Sequence, residues 1–127
     1  MKFKESKPIY LQIADRIMEE ILQEIYPEEE RIPSVREYAT IVEVNANTVV
    51  RAYDFLQSQD IIFNKRGIGY FVSKGGQKSI LKLRRKAFLT EEVPEMFRQM
   101  ELLNIPSTEI KAMYDEFLHT LRKEEEL

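Results

Sequence analysis

Ser34-Val35-Arg36-Glu37-Tyr38-Ala39, followed after a short gap by Asn45-Ala46-Asn47-Thr48-Val49, is the stretch that decides the fold. In the first segment a Ser hydroxyl and a Glu carboxylate three residues apart can satisfy each other's free backbone N–H groups. That is the capping box, which starts a helix at Ser34. Val35, Tyr38, Ala39 and Val42 then make one apolar stripe, predicting a two-turn helix that ends near Ile41 or Val42. In the second segment Asn45 suits an N-cap, and Val49, Ala52, Tyr53 and Leu56 line the buried face of a helix running to about Gln57. Two short helices with a tight connection form a helix-turn-helix, whose second helix can lie in a DNA major groove with its first residues at base edges.

Reading forward, Ile61-Ile62-Phe63 and Tyr70-Phe71-Val72 are β-prone runs on either side of Asn64-Lys65-Arg66-Gly67-Ile68-Gly69. A hairpin directly after a recognition helix, with a cationic tip, is the wing of a winged helix. Its glycines let the backbone approach a phosphate or a minor groove, while Lys65 and Arg66 supply charge. Reading backward, Ile9, Tyr10, Ile13, Ile17, Ile21 and Ile25 recur at helical spacing. They predict an amphipathic helix from Pro8 to about Ile25, stopped by Pro27, after which Glu28, Glu29 and Glu30 read as a solvated loop. The expected fold is mainly α: residues 1–76 form a winged helix-turn-helix domain of three helices and a β-hairpin wing.

Lys74-Gly75-Gly76 reads as a hinge, and residues 77–127 as a short C-terminal helical dimerisation tail. Ile80 to Leu89 contain the basic run Lys82-Leu83-Arg84-Arg85-Lys86, either a flank for DNA or, the favoured reading, a solvated helix face. Val93, Met96, Phe97, Met100 and Leu103 form one apolar stripe. Beyond Pro106-Ser107, Ile110, Met113, Tyr114, Phe117, Leu118 and Leu121 form another. Pro94 fits either the first turn of a new helix or a kink in a longer one. Such a tail cannot bury its apolar faces alone; it needs the winged domain or a second copy of itself.

With 127 residues, 43% of them hydrophobic and 32% charged, the chain is long enough for one core and an extension. The net charge of -3 gives no support to nucleic-acid binding, and neither the part up to Gly76 nor the part beyond it has a basic excess. Any DNA-binding face must be local. The absence of cysteine excludes disulfides and thiolate chemistry, and a single histidine, His119, makes no metal cluster, so no cofactor or metal is expected. The tail offers no nucleophile–base pair, which leaves an enzyme the poorest reading. No apolar run approaches the ~20 residues of a membrane span, and the charged start, Met1-Lys2-Phe3-Lys4-Glu5, is no secretory signal. The expected location is cytoplasmic.

These motifs together resemble the N-terminal domain of the GntR family of bacterial transcription regulators. Pro8-Ile9-Tyr10-Leu11-Gln12-Ile13 is similar to the family's opening helix, and Ile32-Pro33-Ser34-Val35-Arg36-Glu37-Tyr38-Ala39 to its "LPSxRxLA" stretch. Val44 to Val49, with Ala52, Tyr53 and Leu56, resembles the recognition helix, and Arg66-Gly67-Ile68-Gly69-Tyr70-Phe71-Val72 the wing. The short two-helix tail and the Asn-x-Asn-Thr-Val pattern further resemble the YtrA-like subfamily, whose members are typically dimeric. The resemblance implies that Arg36 contacts DNA and that Ser34 caps its helix. Where many members carry a base-reading arginine this chain has Ala46, so reading must fall to other residues. Asp60 stands where a helix-ending glycine is common, and Asp tolerates the left-handed conformation.

The candidate DNA-binding set is Ser34, Arg36, Asn45, Asn47, Thr48, Arg51, Lys65, Arg66 and Gly67. Asn45 is assigned chiefly to the cap. Asn47 and Thr48 point away from the Val49/Tyr53 stripe; Asn can pair bidentately with adenine, and Thr can bond a base or phosphate or touch a thymine methyl. Arg51, one turn beyond Asn47, can reach the phosphate backbone. The resulting expectation is a dimeric repressor of transcription on double-stranded DNA, its half-sites about 34 Å apart or a small multiple of that. The alternative is a winged-helix protein-interaction module without DNA binding. The tail leaves little room for an effector pocket, though a small molecule could still bind between subunits, so whether an effector exists is left open.

Overall fold

The computed structural model describes residues 6–126; residues 1–5, the charged start read above as no secretory signal, lie outside them. The elements run α1 (Ile9–Leu22), α2 (Val35–Val42), α3 (Ala46–Ser58), β1 (Ile62–Lys65), β2 (Gly69–Val72), α4 (Gly76–Ala87), a π-helical turn (Phe88–Glu92), α5 (Val93–Leu102) and α6 (Ser107–Glu125). Two compact units divide after Arg84.

In the first unit α1 buries Ile13, Ile17 and Ile21 on one face, α2 contributes Tyr38 and Val42, and α3 contributes Val49, Tyr53 and Leu56. Ile61, Ile62 and Val72 close the core from the hairpin side, and Ile80 of α4 joins them. Both helix starts follow the expected chemistry. The Ser34 hydroxyl accepts from Glu37 N–H at 3.1 Å while Ser34 N–H donates to Glu37 Oε1 at 3.1 Å. At α3, Asn45 Oδ1 accepts from Asn47 N–H at 2.8 Å. Asp60 takes the left-handed conformation just after α3, with φ of 58°.

Tyrosines hold the helix-turn-helix together. Tyr53 packs edge-to-face against Tyr38 and Tyr70, and its hydroxyl donates to Pro33 C=O at 2.6 Å, fastening α3 to the start of α2. The Tyr38 hydroxyl donates to Glu20 of α1. Burial, above all, pushes both phenols well above their ordinary pKa, so each remains a donor. Tyr53→Phe leaves the ring and removes the donor from Pro33 C=O; the expected loss is about 1–2 kcal/mol in urea unfolding. An unchanged unfolding midpoint would show that the bond contributes nothing.

Three expectations need correction. The first helix stops at Leu22, and Ile25 is 55% exposed instead of continuing the buried stripe. A Schellman turn is the cause: Glu24 adopts φ of 61°, with Glu24 N–H bonded to Ile21 C=O at 3.0 Å and Ile25 N–H to Glu20 C=O at 2.9 Å. The acidic run is more than a solvated loop. Glu28 Oε1 accepts from Gln77 N–H at the start of α4, at 3.3 Å. Glu29 N–H donates to Val72 C=O at 2.8 Å and Val72 N–H to Glu30 C=O at 3.0 Å. Lys74-Gly75-Gly76, finally, is no loose hinge. Gly76 is buried, and a Cβ there would lie 3.0 Å from Ile61 O and 3.2 Å from Val72 Cγ1. Gln77 Nε2 donates to Ile21 C=O, and Arg84 pairs with Glu19 at 2.9 Å, so the first turns of α4 are tied to α1.

In the second unit Pro94 occupies the first turn of α5, directly after the π-helical turn. Met96, Phe97, Leu102 and Leu103 are exposed, as are Met113, Tyr114, Phe117 and Leu121 of α6. Lys82, Arg85 and Lys86 are exposed on α4, which fits either reading of the basic run.

Candidate nucleic-acid interface

The helix-turn-helix and the wing belong to one unit, in which α3 packs against α1, α2 and β1. Burying Val49, Ala52, Tyr53 and Leu56 leaves the other side of α3 outward, so Asn47, Val50 and Arg51 are exposed and Thr48 is half-buried. The Asn45 side chain supplies its oxygen to Asn47 N–H, a bond that caps α3. Neither the Asn47 nor the Thr48 side chain has a hydrogen-bond partner among the described residues, which leaves donor and acceptor groups in the first turn of α3 for a base edge.

Arg36 is exposed in the first turn of α2 and has no carboxylate partner among the described residues. The neighbouring Glu37 carboxyl lies below its ordinary pKa because Ser34 N–H and the Ser34 side chain bond it, with a smaller contribution from the charge of Arg31. The Ser34 hydroxyl is engaged in the same cap. Arg51 sits with its guanidinium 4.3 Å from the centre of the Tyr10 ring. Tyr10, expected only in the core, thus serves also as a platform that narrows the rotamers of Arg51.

The hairpin pairs Ile62 with Val72, Phe63 with Phe71, Asn64 with Tyr70 and Lys65 with Gly69. Ile68 N–H donates to Lys65 C=O at 2.9 Å, closing a tip of Arg66, Gly67 and Ile68, all exposed. Phe63 and Phe71 stack at 5.7 Å, and the Lys65 ammonium lies 4.7 Å from the Phe71 ring centre. The wing therefore carries one cation on an aromatic shelf and another at its tip.

Arg31 was missed in the sequence. Its backbone bridges to Phe71, extending the sheet beyond β2, and its guanidinium rests against Gly69, where a Cβ would stand 2.9 Å from Arg31 Nε. The only available signal was a cation directly before Ile32-Pro33-Ser34, hidden at the end of an acidic run.

The family model described as "Bacterial regulatory proteins, gntR family" matches residues 9–72, the span from the first residue of α1 to the last of β2. The chain belongs to the GntR family. This GntR protein is 37% identical over 110 residues to YhcF of Bacillus subtilis, named an HTH-type transcriptional regulator; the match covers 86% of the chain and 88% of YhcF. It is 38% identical over 79 residues to the B. subtilis HTH-type transcriptional repressor YtrA, covering 62% of the chain and 61% of YtrA. A crystal structure of a GntR-family regulator from Bacteroides thetaiotaomicron, described as putative in its own name, superposes with a TM-score of 0.80 and 55% identity, over 90% of the chain and 99% of that protein. The GntR chain is thus a DNA-binding helix-turn-helix transcription regulator with a winged domain.

Proposed function

We propose that this regulator binds double-stranded DNA as a homodimer in the cytoplasm and represses transcription from the bound site. Residues 1–76 read the DNA, and residues 77–127, anchored at their start by Ile80 and Arg84, supply the dimer contact. Arg36, Arg51, Lys65 and Arg66 contact phosphates, with Gly67 allowing close approach of the wing backbone. Asn47 and Thr48 discriminate bases, while Ser34 and Asn45 hold the two helix N-termini in place. The observation that carries this reading is the outward first turn of α3, where the Asn47 and Thr48 side chains have no hydrogen-bond partner among the described residues. The repressing sign is supported by the name of the similar YtrA protein.

Selection of duplexes from a random pool by the purified chain tests the proposal, followed by comparison with the DNA upstream of its own gene. A two-fold symmetric site with half-sites about one helical turn apart, or a small multiple of that, is expected. A reporter driven from that site should rise when the regulator is deleted. Equal binding to selected and random duplexes at moderate salt would defeat the reading.

A further inference from the structure

The geometry points to Arg31 as an additional phosphate contact of the DNA interface, oriented by the wing through the notch at Gly69. This inference rests on the DNA-binding reading above. Three observations carry it. First, the Arg31 backbone is fixed: Ile32 N–H donates to Tyr70 C=O at 2.9 Å, Val72 N–H donates to Glu30 C=O at 3.0 Å, and Arg31 itself bridges to Phe71.

Second, the side chain is guided. Gly69, with φ of 143°, has no Cβ, and the vacated volume holds the Arg31 guanidinium, with Nε 2.9 Å and Nη2 3.4 Å from the position a Cβ would take. Gly69 begins β2 and is the register partner of Lys65 at the end of β1, so the guanidinium rests against the hairpin at the rung that carries Lys65 on its other strand.

Third, the guanidinium is not ion-paired, although its charge reaches the Glu37 carboxyl. Arg31 is exposed and makes no ion pair among the described residues, although Glu28, Glu29 and Glu30 precede it. Glu28 is turned to the start of α4 through Gln77. Ordering an arginine costs side-chain entropy, and the Glu37 carboxylate, which feels the charge of Arg31, is held by Ser34 and makes no ion pair with it, so the exposed guanidinium beside Gly69 is open to an external anion. On a DNA-binding face that anion is a backbone phosphate, which the planar fork can grip with two N–H groups.

The test uses the full chain and the duplex that the wild-type protein selects from a random pool, with binding measured across a salt series. Arg31→Ala should weaken binding about 3- to 20-fold, equally on selected and random duplexes, and reduce the slope of log K against log salt by about one per bound subunit. Arg31→Lys should keep the slope, and thermal unfolding of both variants should match wild type. Lys78→Ala, which removes an exposed charge from α4, serves as the control for net charge. An Arg31→Ala slope equal to wild type, or a loss no larger than that of Lys78→Ala, overturns the assignment. So does a drop in stability with the slope preserved, which would make Arg31 a packing residue. Failure of the wild-type protein to bind any duplex would bring down the DNA-binding reading itself, a result separable from the other two.

Discussion

Replacing Met113 and Phe117 of α6 together by Glu is expected to convert the regulator to a monomer and to weaken binding to its symmetric site about 100-fold or more. Ile110, Met113, Tyr114, Phe117 and Leu121 follow helical spacing over the 19 residues of α6. Met113 is 62% and Phe117 59% exposed. With Ala112, those two side chains form the apolar floor of an open trough along the helix that Glu109, Glu116 and Thr120 also line. Most helix stability in proteins comes from packing an amphipathic face, and this face is left uncovered among the described residues, so a second copy of the tail is the proposed cover. Two linked recognition helices bind the second half-site at a high effective concentration; a single one does not, which is the source of the expected loss. Sedimentation velocity reads the assembly and a titration with full and half sites reads the affinity. The variant should bind a half site as wild type does. A dimer that survives both charges, or an unchanged affinity for the full site, would place the subunit contact elsewhere.

The second large effect separates positioning from reading. Asn47→Ala should cost about 1–3 kcal/mol, roughly 5- to 150-fold, on the preferred sequence and little on a duplex altered at the base pair it reads. Arg36→Ala should weaken both duplexes by a similar factor, because a phosphate carries no sequence information. The contrast is expected because Asn47 is exposed in the first turn of α3, whereas Arg36 leaves the start of α2. Neither side chain is buried, so unfolding should be unaffected. The measurement is a pair of binding curves for each variant. If Asn47→Ala lowered both curves in parallel, base reading would pass to Thr48 or to the wing.

What was legible in the sequence was what local chemistry decides. Ser34 and Glu37 sit three residues apart, Asn45 precedes its own helix, and the isoleucines of α1 repeat at four, so each signal needs only neighbouring residues. What escaped depended on contacts distant in the chain or on backbone that composition disfavours. A left-handed glutamate at position 24 has no recognisable signature, so the isoleucine spacing predicts a helix that runs on to Ile25. Arg31 acquires its geometry from Phe71 and Gly69, about forty residues later, and no periodicity of residues 28–31 announces that pairing. Tyr10 was placed correctly on an apolar face, but its second contact, with Arg51, joins two helices. The same limit applied at Gly75-Gly76, where two glycines suggest freedom until Ile61 and Val72 are seen to occupy the space around the second.

That crowding at Gly76 bears on the half-site spacing that the proposed dimer would accept. A Cβ at Gly76 would crowd Ile61 O, Gln77 and Arg84 are bonded to α1, and Ile80 is in the core. The polypeptide therefore leaves the winged unit along one fixed line as far as Arg84. One inserted base pair turns a half-site by roughly a tenth of a helical turn. In the proposed dimer the root of α4 would not absorb that rotation, and tolerance for altered spacing is expected to arise beyond Arg84, on the side of the π-helical turn at Phe88–Glu92.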